Sequence, residues 1–351
     1  MKEFFAGKRI LVTGGTGSIG SEIVRQLLEF EPGVVRVFSR DETRQAELEQ
    51  ALGAREDVRY LIGDVRDAVR LKRALSQIDT VFHAAALKHV PACEYNPFEA
   101  VQTNVIGTQN LIQAALDAGV RHVVAISTDK AVDPSNTMGA TKLLAEKLIT
   151  TANYWATDTC FACVRFGNVL GSRGSIVPLI ARQIEAGGPV TLTSIAMSRF
   201  VMSIRQAVQL TLKASTLAAG GEIFILRMPT VAVEDLVHVL IERHARRAKI
   251  DAARVAVVST GPRPGEKLSE ALMTEEEARR TEVRPEMFVV YPPRSARAAE
   301  LIDRRQQAAR GQGKPLDQDA AEIPAAEYRS DEVERTLSRA EIRTLLDQAG
   351  L

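Results

Sequence analysis

The sequence has few residues of the kinds that mark secreted, membrane-bound or nucleic-acid-binding proteins. Only 3 of its 351 residues are cysteine, which is too few for a disulfide framework. No run of about 18 apolar residues occurs, and the first residues lack the apolar core of a signal peptide, so we expect no membrane span and a cytoplasmic location. The 45 Lys and Arg residues nearly balance the 44 Asp and Glu residues, and the formal net charge is +1. A field that could concentrate nucleic acid or an anionic membrane surface is therefore excluded.

The residue types that bind metal ions are dispersed along the chain. Cys160 and Cys163 lie three apart in an apolar run that is typical of a buried strand. No second cysteine pair and no histidine cluster completes a ligand set. We therefore predict that the protein holds no metal.

What the first half of the chain does contain is an alternation of short β-branched runs with amphipathic helical periods. This alternation predicts an α/β fold with a Rossmann-type doubly wound parallel sheet, covered by helices on both faces. The predicted strands are Arg9–Thr13, Val34–Phe38, Val58–Ile62, Thr80–His83, Val123–Ser127 and Phe161–Phe166.

The second half predicts a smaller, interleaved C-terminal lobe that binds the substrate. We assign residues 1–170 to a dinucleotide-binding Rossmann domain, to which roughly 204–230 return, and residues 171–293 to the substrate-binding lobe. A loop rich in Gly and Ser follows the sixth strand, where the chain is expected to leave the sheet.

Residues 294–351 form a third part, a linker with a C-terminal helical tail. The stretch 294–326 is rich in Ala, Arg and Gln, a composition that favours a linker or an insertion. The pattern becomes helical again over Asp331–Ala349.

The turn after the first predicted strand is rich in glycine and favours dinucleotide binding. Glycine allows a tight turn and a close approach of the backbone to a pyrophosphate, which then lies at the positive end of the following helix. The position between the first strand and the first helix of an alternating pattern strengthens this prediction. The predicted cofactor contacts in the turn are Gly14, Thr16, Gly17, Ser18, Ile19 and Gly20.

The residues after the second strand favour NADP as the cofactor. An acidic residue normally ends this strand and binds the adenosine ribose of NAD, but here the strand ends in Ser39 and Arg40. A hydroxyl and a guanidinium suit the additional phosphate of NADP. Asp41 follows and can still serve a ribose, so NAD stays open. Asp64 and Val65, after the third strand, are predicted to meet the adenine ring.

The segment after the fifth strand, Ser127–Lys142, resembles the active site of a known family. It reads Ser-Thr-Asp-Lys-Ala-Val-Asp-Pro-Ser-Asn-Thr-Met-Gly-Ala-Thr-Lys, at the edge where catalytic residues of open α/β sheets gather. It is similar to the UDP-N-acetylglucosamine 4,6-dehydratases of bacterial polysaccharide and glycan biosynthesis, in the extended short-chain dehydrogenase/reductase superfamily. The likeness covers most of the chain. Further matching stretches are Phe38–Glu42, His83–Pro91, Asn104–Thr108, Arg165–Ser175, Met197–Phe200 and Arg263–Leu268.

The resemblance implies a role for each matching residue. Asp129 is expected to be the acid that protonates the departing hydroxyl at carbon 6, and Lys130 the base that removes the proton at carbon 5. Thr128 is expected to bond the sugar near carbon 4, and Lys142 to hold the nicotinamide ribose. The other implied cofactor contacts are Ala84, Ala85 and Asn104. The implied contacts with a UDP-sugar are Lys88, His89, Asn168, Arg173, Ser175, Arg199, Arg263 and Glu266. A homo-oligomer is also implied.

Met138 departs from the pattern of most relatives, which carry Tyr at this position, although a subgroup also carries Met. A thioether cannot act as a general base. Either Asp129, Lys130 or a bound water therefore takes the proton of the carbon 4 hydroxyl, or the protein is a weakened enzyme. A free lysine titrates near ~10.4 and a base at neutral pH needs a pKa about 3 units lower. We expect burial beside a positively charged nicotinamide to lower the pKa of Lys130.

The sequence thus predicts an NADP- or NAD-dependent 4,6-dehydration of a nucleotide sugar, with UDP-N-acetylglucosamine as substrate and a 4-keto-6-deoxy product. Two alternatives stay open. A nucleotide-sugar 4-epimerase would share the oxidation at carbon 4 but omit the elimination. A non-catalytic nucleotide-binding sensor or scaffold is consistent with Met138.

Overall fold

Short runs of β-branched and aromatic residues form the strands of the computed structural model, which describes residues 1–261, 265–293, 327–333 and 336–351. The predicted linker 294–326 and the predicted substrate residue Arg263 lie outside these described residues. The strands are β1 (Arg9–Thr13), β2 (Val34–Ser39), β3 (Val58–Ile62), β4 (Thr80–His83), β5 (His122–Thr128), β6 (Cys160–Phe166), β7 (Asn168–Leu170), β8 (Val190–Leu192), β9 (Ser198–Ser203), β10 (Ile223–Leu226), β11 (Thr230–Ala232), β12 (Val257–Ser259), β13 (Ala271–Met273), β14 (Thr281–Val283), β15 (Met287–Val290) and β16 (Tyr328–Arg329).

Helices separate most of these strands. The α-helices are α1 (Lys2–Phe5), α2 (Ser18–Leu28), α3 (Glu42–Leu52), α4 (Ala68–Ala74), α5 (Val90–Tyr95), α6 (Pro97–Ala100), α7 (Gly107–Asp117), α8 (Thr137–Ala152), α9 (Ile176–Glu185), α10 (Ile204–Leu217), α11 (Val233–Ala248), α12 (Glu275–Ala278) and α13 (Arg339–Gln348). Turns of 3₁₀-helix span Asp129–Ala131 and Ala252–Arg254, and a π-helical segment spans Val101–Ile106. Among the residues described, no helix combines the length and the apolar character needed to cross a bilayer.

A nine-stranded sheet with the order β14-β15-β10-β6-β5-β4-β1-β2-β3 forms the centre. Within this sheet, neighbouring strands run parallel in the part β10-β6-β5-β4-β1-β2-β3, and β15 and β14 complete one edge by antiparallel pairing. The predicted strands are all present, and the prediction of a Rossmann-type α/β fold is confirmed. Every residue of β4 and β6 is buried, as expected for a sheet covered on both faces. The strand order reverses between β1 and β4, so a ligand crevice opens beyond their carboxyl ends.

The remaining strands and helices build a smaller body beside the sheet. β9 pairs with β7 and β11, and α9, α11 and α13 enclose a separate apolar cluster in which Ile180, Leu240 and Leu346 are fully buried. The chain returns to the central sheet through α10 and β10, since β10 pairs with β6. The division into domains stays a prediction.

Buried charges join the sheet to two helices. The Arg165 guanidinium of β6 donates to Glu146 of α8 at 2.7 Å and to Glu277 of α12 at 2.9 Å. All three side chains are buried. This ion cluster fixes α8, which carries part of the predicted active site, against the core.

The C-terminal helix is shorter than the sequence pattern predicts. The pattern predicts a helix from Asp331 to Ala349, whereas α13 begins at Arg339. Ser338 starts the helix because its hydroxyl accepts from the backbone N–H of Glu341, and the Glu341 carboxylate accepts from the backbone N–H of Ser338. Asp331 instead follows β16, which pairs with β13.

Candidate active site

The glycine-rich turn connects β1 to α2 and leaves the start of that helix uncapped. Gly17 is the N-cap residue, and within the part of the chain that the structure describes this 11-residue helix has no side-chain cap at its start. Gly14 has a φ of +64°, and a Cβ on Gly20 would lie 2.2 Å from the Gly14 carbonyl oxygen. Only glycine fits this tight packing. Uncapped N–H groups at a positive helix end bind a pyrophosphate well, so the turn fits a dinucleotide.

Arg40 lies at the carboxyl end of β2 with its side chain about half exposed. Its Nη1 is 3.5 Å from Asp64 Oδ2, whereas Arg66 Nη2 donates to the same oxygen at 2.8 Å. Burial alone would raise the pKa of Asp64, but the bonds from Arg66 outweigh it and hold the pKa below its ordinary value. Ser39 is buried, and its hydroxyl accepts from the Gln45 amide at 3.0 Å. Arg40 is thus loosely held and well placed to meet an anion beyond β2.

The loop after β4 lies against the glycine-rich turn. A Cβ on Gly14 would be 2.7 Å from the backbone nitrogen of Ala85, so Ala84 and Ala85 border the same crevice. Asn104 braces this loop, since its side chain accepts from the Leu87 N–H at 2.8 Å and donates to the Leu87 carbonyl at 3.0 Å. The Asn104 amide therefore holds the backbone of the crevice, and its predicted contact with a cofactor stays a prediction.

The catalytic turn predicted from the sequence follows β5 directly. Asp129 is 1% exposed, and its Oδ1 accepts from the Thr128 hydroxyl at 2.6 Å and from Lys130 Nζ at 3.0 Å. Its other oxygen, Oδ2, is buried without a hydrogen-bond partner among the described residues and would lie 3.6 Å from a Cβ on Gly167. An unpaired buried carboxylate oxygen costs roughly 1–3 kcal/mol unless a proton or a ligand satisfies it. This orphaned oxygen is suited to receive a substrate hydroxyl.

Lys130 is held between two carboxylates. Its Nζ lies 3.0 Å from Asp129 Oδ1 and 3.4 Å from Glu270 Oε1. Burial lowers the pKa of Lys130, but Asp129 and Glu270 outweigh burial and raise that pKa above its ordinary value. The expectation of a lowered pKa left out the second carboxylate. The two carboxylates together favour the ammonium form of Lys130.

Glu270 is the residue of this site that sequence reasoning missed. It lies two residues beyond the matched stretch Arg263–Leu268 and directly precedes β13, and it is 4% exposed. Burial raises its pKa, although Lys130 acts in the opposite direction. The available signal was a carboxylate placed at the start of a short apolar strand, where burial without a partner is unfavourable.

The segment Gly265–Glu270 forms hydrogen bonds with residues 132–136, which directly follow the catalytic turn. The carbonyl oxygen of its first residue accepts from the Asn136 side-chain amide at 3.0 Å, and Lys267 Nζ donates to the Val132 carbonyl at 3.2 Å. The same Asn136 side chain caps α8, because its oxygen accepts from the Gly139 N–H at 2.8 Å. One side chain thus fixes both the start of α8 and the segment that carries Glu270.

The helix α8 presents Met138 and Lys142 four residues apart, as predicted. Lys142 Nζ donates to the Ile126 carbonyl at 2.6 Å, and burial lowers its pKa. Met138 is 3% exposed and packs with Cys93 and Ala100. Its thioether fills an apolar contact and offers no group that can take a proton.

Several of the predicted substrate residues meet in the loop after β7. Lys88 Nζ donates to the Arg173 carbonyl at 2.9 Å, and a Cβ on Gly174 would lie 2.4 Å from His89 Cε1. Ser175 ends this loop as the N-cap residue of α9, and its hydroxyl is buried without a partner. The structure thus brings together Lys88, His89, Arg173 and Ser175.

The same loop reaches over the glycine-rich turn. The backbone N–H of Arg173 donates to the Ser18 hydroxyl at 3.0 Å, and its guanidinium donates to the Thr16 carbonyl. Residues predicted to bind substrate and residues predicted to bind cofactor are therefore in direct contact at the start of α2.

Arg199 lies on β9 and ties that strand to the segment Gly265–Glu270. Its guanidinium donates to the carbonyl oxygens of Lys267 at 2.7 Å and Leu268 at 2.8 Å. Its Nε is 4.0 Å from Glu270 Oε1. The backbone thus occupies most of its donors, and its contact with a nucleotide stays a prediction.

Two further predicted substrate residues are Glu266, within the segment Gly265–Glu270, and Asn168. Glu266 accepts from the Thr193 hydroxyl at 3.4 Å, and Asn168 is exposed at the start of β7. Within the described part of the chain, no group of three His, Cys, Asp or Glu side chains is arranged to hold a metal ion. The arrangement instead offers a buried acid, an amine and a second carboxylate beside a crevice that fits a dinucleotide.

Comparison with known sequences finds one family over most of the chain. The family described as polysaccharide biosynthesis protein matches residues 10–292. An uncharacterised membrane protein of Methanocaldococcus jannaschii is 58% identical over 294 residues, which cover 83% of this chain and 88% of that protein. A UDP-N-acetylglucosamine 4,6-dehydratase (inverting) of Campylobacter jejuni is 40% identical over 292 residues, or 82% and 84%. A UDP-glucose 4-epimerase of Rickettsia typhi is 40% identical over 279 residues, or 78% and 80%.

Solved structures share the whole architecture. Pen from Bacillus thuringiensis has a TM-score of 0.87 and 42% identity, with 99% of each chain covered. The dTDP-glucose 4,6-dehydratase DesIV from Streptomyces venezuelae, solved with NAD, has a TM-score of 0.65 and 25% identity over 87% of this chain and 98% of its own. Dehydratases and epimerases of nucleotide sugars are thus both found among proteins similar to this chain.

Proposed function

Because the chain belongs to the polysaccharide biosynthesis protein family, we propose that it is a nucleotide-sugar 4,6-dehydratase that acts on UDP-N-acetylglucosamine. The observation that carries this proposal is the pair Asp129 and Lys130, a buried carboxyl and an amine 3.0 Å apart at the carboxyl end of β5. An epimerase needs only to oxidise and reduce carbon 4. Elimination of water needs in addition an acid and a base for neighbouring carbons, and this pair supplies both.

The proposed cofactor is NADP, with NAD as the alternative. The glycine-rich turn, Arg40 and Lys142 would hold it, and its nicotinamide would supply the acceptor and donor for the hydride that leaves carbon 4 and enters carbon 6 of the sugar. Arg40 supports NADP because its guanidinium is only loosely engaged with Asp64, at 3.5 Å.

The proton transfers balance without a tyrosine at position 138. Asp129 takes the proton of the carbon 4 hydroxyl through Thr128, whose hydroxyl donates to Asp129 Oδ1 at 2.6 Å. The protonated Asp129 then gives this proton to the hydroxyl that leaves carbon 6 as water. Lys130 removes the proton of carbon 5 and later returns one from solvent. Both groups end the cycle in the form in which they began.

We also propose a homo-oligomer. The aromatic side chains of Tyr95 and Phe98, on α5 and α6, are 88% and 83% exposed. Exposed aromatic groups are enriched in protein interfaces. Light scattering of the protein and of Phe98→Ser should give a smaller particle for the variant if α6 lies in the interface.

A 4-epimerase is the second candidate, and the Rickettsia typhi relative favours it. Isotopes separate the two reactions, which share the oxidation at carbon 4. In heavy water, a dehydratase incorporates deuterium at carbon 5 and loses one water, and a label at carbon 4 appears at carbon 6 of the same molecule. An epimerase returns the label to carbon 4 with no loss of water. An unchanged mass with inverted carbon 4 would overturn the dehydratase, and binding without any isotope movement would favour a sensor.

A further inference from the structure

The active site contains a third ionisable group, the buried carboxylate of Glu270. Its Oε1 lies 3.4 Å from Lys130 Nζ. The backbone of Glu270 is fixed by pairing with Ser330, since its N–H donates to the Ser330 hydroxyl and its carbonyl accepts from the Ser330 N–H, both at 2.9 Å. The carboxylate is thus presented to Lys130 from backbone that two hydrogen bonds anchor beside the paired strands β13 and β16.

Charged groups on three elements surround Glu270. The catalytic turn contributes Lys130 and Asp129, and β9 contributes Arg199, whose Nε lies 4.0 Å away. On β16, the Arg329 guanidinium forms ion pairs with Asp331 at 3.2 Å and with Glu327 at 3.4 Å. Lys130 therefore gives Glu270 its shortest ionic contact among the described residues.

An ammonium group cannot remove a proton from carbon 5, so Lys130 must first lose a proton. Asp129 is the poorer acceptor for it, because it offers Lys130 Nζ only Oδ1, which also accepts from Thr128 Oγ1 and Lys130 N, whereas its Oδ2 makes no hydrogen bond with Lys130 or with any other described residue. The proposed cycle also needs Asp129 ionised at the start. Glu270 is the remaining carboxylate in reach, and burial disfavours its charged form.

We propose that Glu270 is a positioning residue that accepts the proton of Lys130 and so converts Lys130 into the amine base of the dehydration. This inference rests on the proposed function for its consequence in turnover. In the transfer, one Nζ–H bond breaks, an O–H bond forms on Glu270 Oε1, and the nitrogen keeps the electron pair. An ammonium and a carboxylate become a neutral amine and a neutral acid. No proton enters or leaves the cluster, so the fraction of active amine does not depend on pH while the pair holds one proton.

The first test reads the state of Lys130 without substrate. Acetic anhydride reacts only with the neutral amine, and peptide mass mapping reports the extent of acetylation at Lys130. In the unaltered protein we expect the rate, corrected for hydrolysis of the anhydride, to be flat from about pH 6 to about pH 8, whereas Glu270→Gln should show about a tenfold rise per pH unit. A tenfold rise in both proteins would overturn the proposal, whatever reaction the enzyme performs.

The second test measures turnover against pH. Glu270→Gln preserves size but cannot accept a proton, so we expect turnover to fall about hundredfold at neutral pH and to recover about tenfold per pH unit. Reduced nicotinamide should accumulate in this variant, because oxidation at carbon 4 continues while removal of the carbon 5 proton stalls. Glu270→Asp should restore part of the flat profile.

A matched control and two opposing outcomes complete the design. Glu222→Gln changes another buried carboxylate, which accepts from the backbone N–H groups of Ala219 and Gly220 at the amino end of β10, and it should keep the flat profile. Faster turnover of Glu270→Gln at neutral pH would show that Glu270 is only a counter-ion and would overturn the proposal. Unaltered protein that forms no dehydrated product but acetylates as expected would remove the proposed function and leave the pairing of Glu270 with Lys130 intact.

Discussion

At the scale of single residues, substitution of Met138 distinguishes the contribution of the site to stability from its contribution to turnover. Its side chain is buried against Cys93 and Ala100, so Met138→Ala should lower the free energy of unfolding by about 2–5 kcal/mol while much of the turnover remains. Lys130→Ala should do the reverse, since the proton of carbon 5 then has no base. Urea unfolding and product assays measure the two effects, and Met138→Leu is the control that keeps the volume. Similar residual turnover in Met138→Ala and Lys130→Ala would contradict the assigned roles.

Arg40 offers a test of the proposed choice of NADP over NAD. Arg40→Ala should weaken NADP by about 1.5–3 kcal/mol, the worth of a hydrogen bond to a charged group, and should leave NAD almost unchanged. Titration of both dinucleotides measures the difference. Arg55→Ala is the control, because Arg55 is a surface arginine that pairs with Asp57 at 2.7 Å. Equal losses for NADP and NAD would remove the assignment of Arg40 to the phosphate.

The positions of some site residues could be predicted from the sequence, and those of others could not. Thr128, Asp129 and Lys130 could be placed because they follow a recognisable buried strand, and the carboxyl ends of parallel strands share one edge. Glu270 could not, because its contact with Lys130 depends on the packing of Gly265–Glu270 along the turn. The raised pKa of Lys130 was missed for the same reason.

At the scale of elements, Asn136 joins the start of α8 to the segment Gly265–Glu270. Asn136→Ala removes both bonds and should destabilise the protein by about 1 kcal/mol or more. Asn136→Asp keeps the acceptor for the Gly139 N–H but loses the donor to the Gly265 carbonyl. We expect Asn136→Asp to unfold like the unaltered protein but to raise KM for the sugar nucleotide. Calorimetry and steady-state kinetics test this, and an unchanged KM would show that the tether has no part in binding.

The strands of the first half were predictable and the antiparallel edge strands were not. The strands β1–β6 have β-branched runs between clear helical periods, and their bounds agree with the prediction to within a residue or so. The edge strands β14 and β15 have 3 and 4 residues and lie beyond the strand–helix alternation by which the equally short β4 was predicted. The start of α13 depends on the capping box of Ser338 and Glu341 rather than on apolar spacing.

At the scale of the whole molecule, the ion cluster around Arg165 makes stability depend on pH. Burial alone would raise the pKa of Glu277, but Arg165 outweighs it and holds the pKa below the ordinary value of 4.5. A carboxyl with a lowered folded pKa stabilises the protein above its unfolded pKa, and this contribution is lost as the pH falls through the lowered value.

Glu277→Gln should therefore lower the free energy of unfolding by about 3–5 kcal/mol at neutral pH, and the gap to the unaltered protein should narrow as the pH falls below 4.5. Urea unfolding at several pH values measures both effects. Glu276→Gln is the control, since that side chain is 72% exposed and an exposed pair contributes at most about 1 kcal/mol. A loss that stays constant down to acid pH would contradict the depressed pKa.

The hydrogen bonds between the catalytic turn and the segment Gly265–Glu270 set an order of events during synthesis on the ribosome. Lys267 bonds a residue 135 positions earlier in the chain. At about 5–20 residues per second, the ribosome needs on the order of 10 s to cover that distance. The residues of the proposed dinucleotide site are therefore synthesised well before Glu270 can arrive beside Lys130. During that interval the growing polypeptide lacks the carboxylate that we propose converts Lys130 into a base.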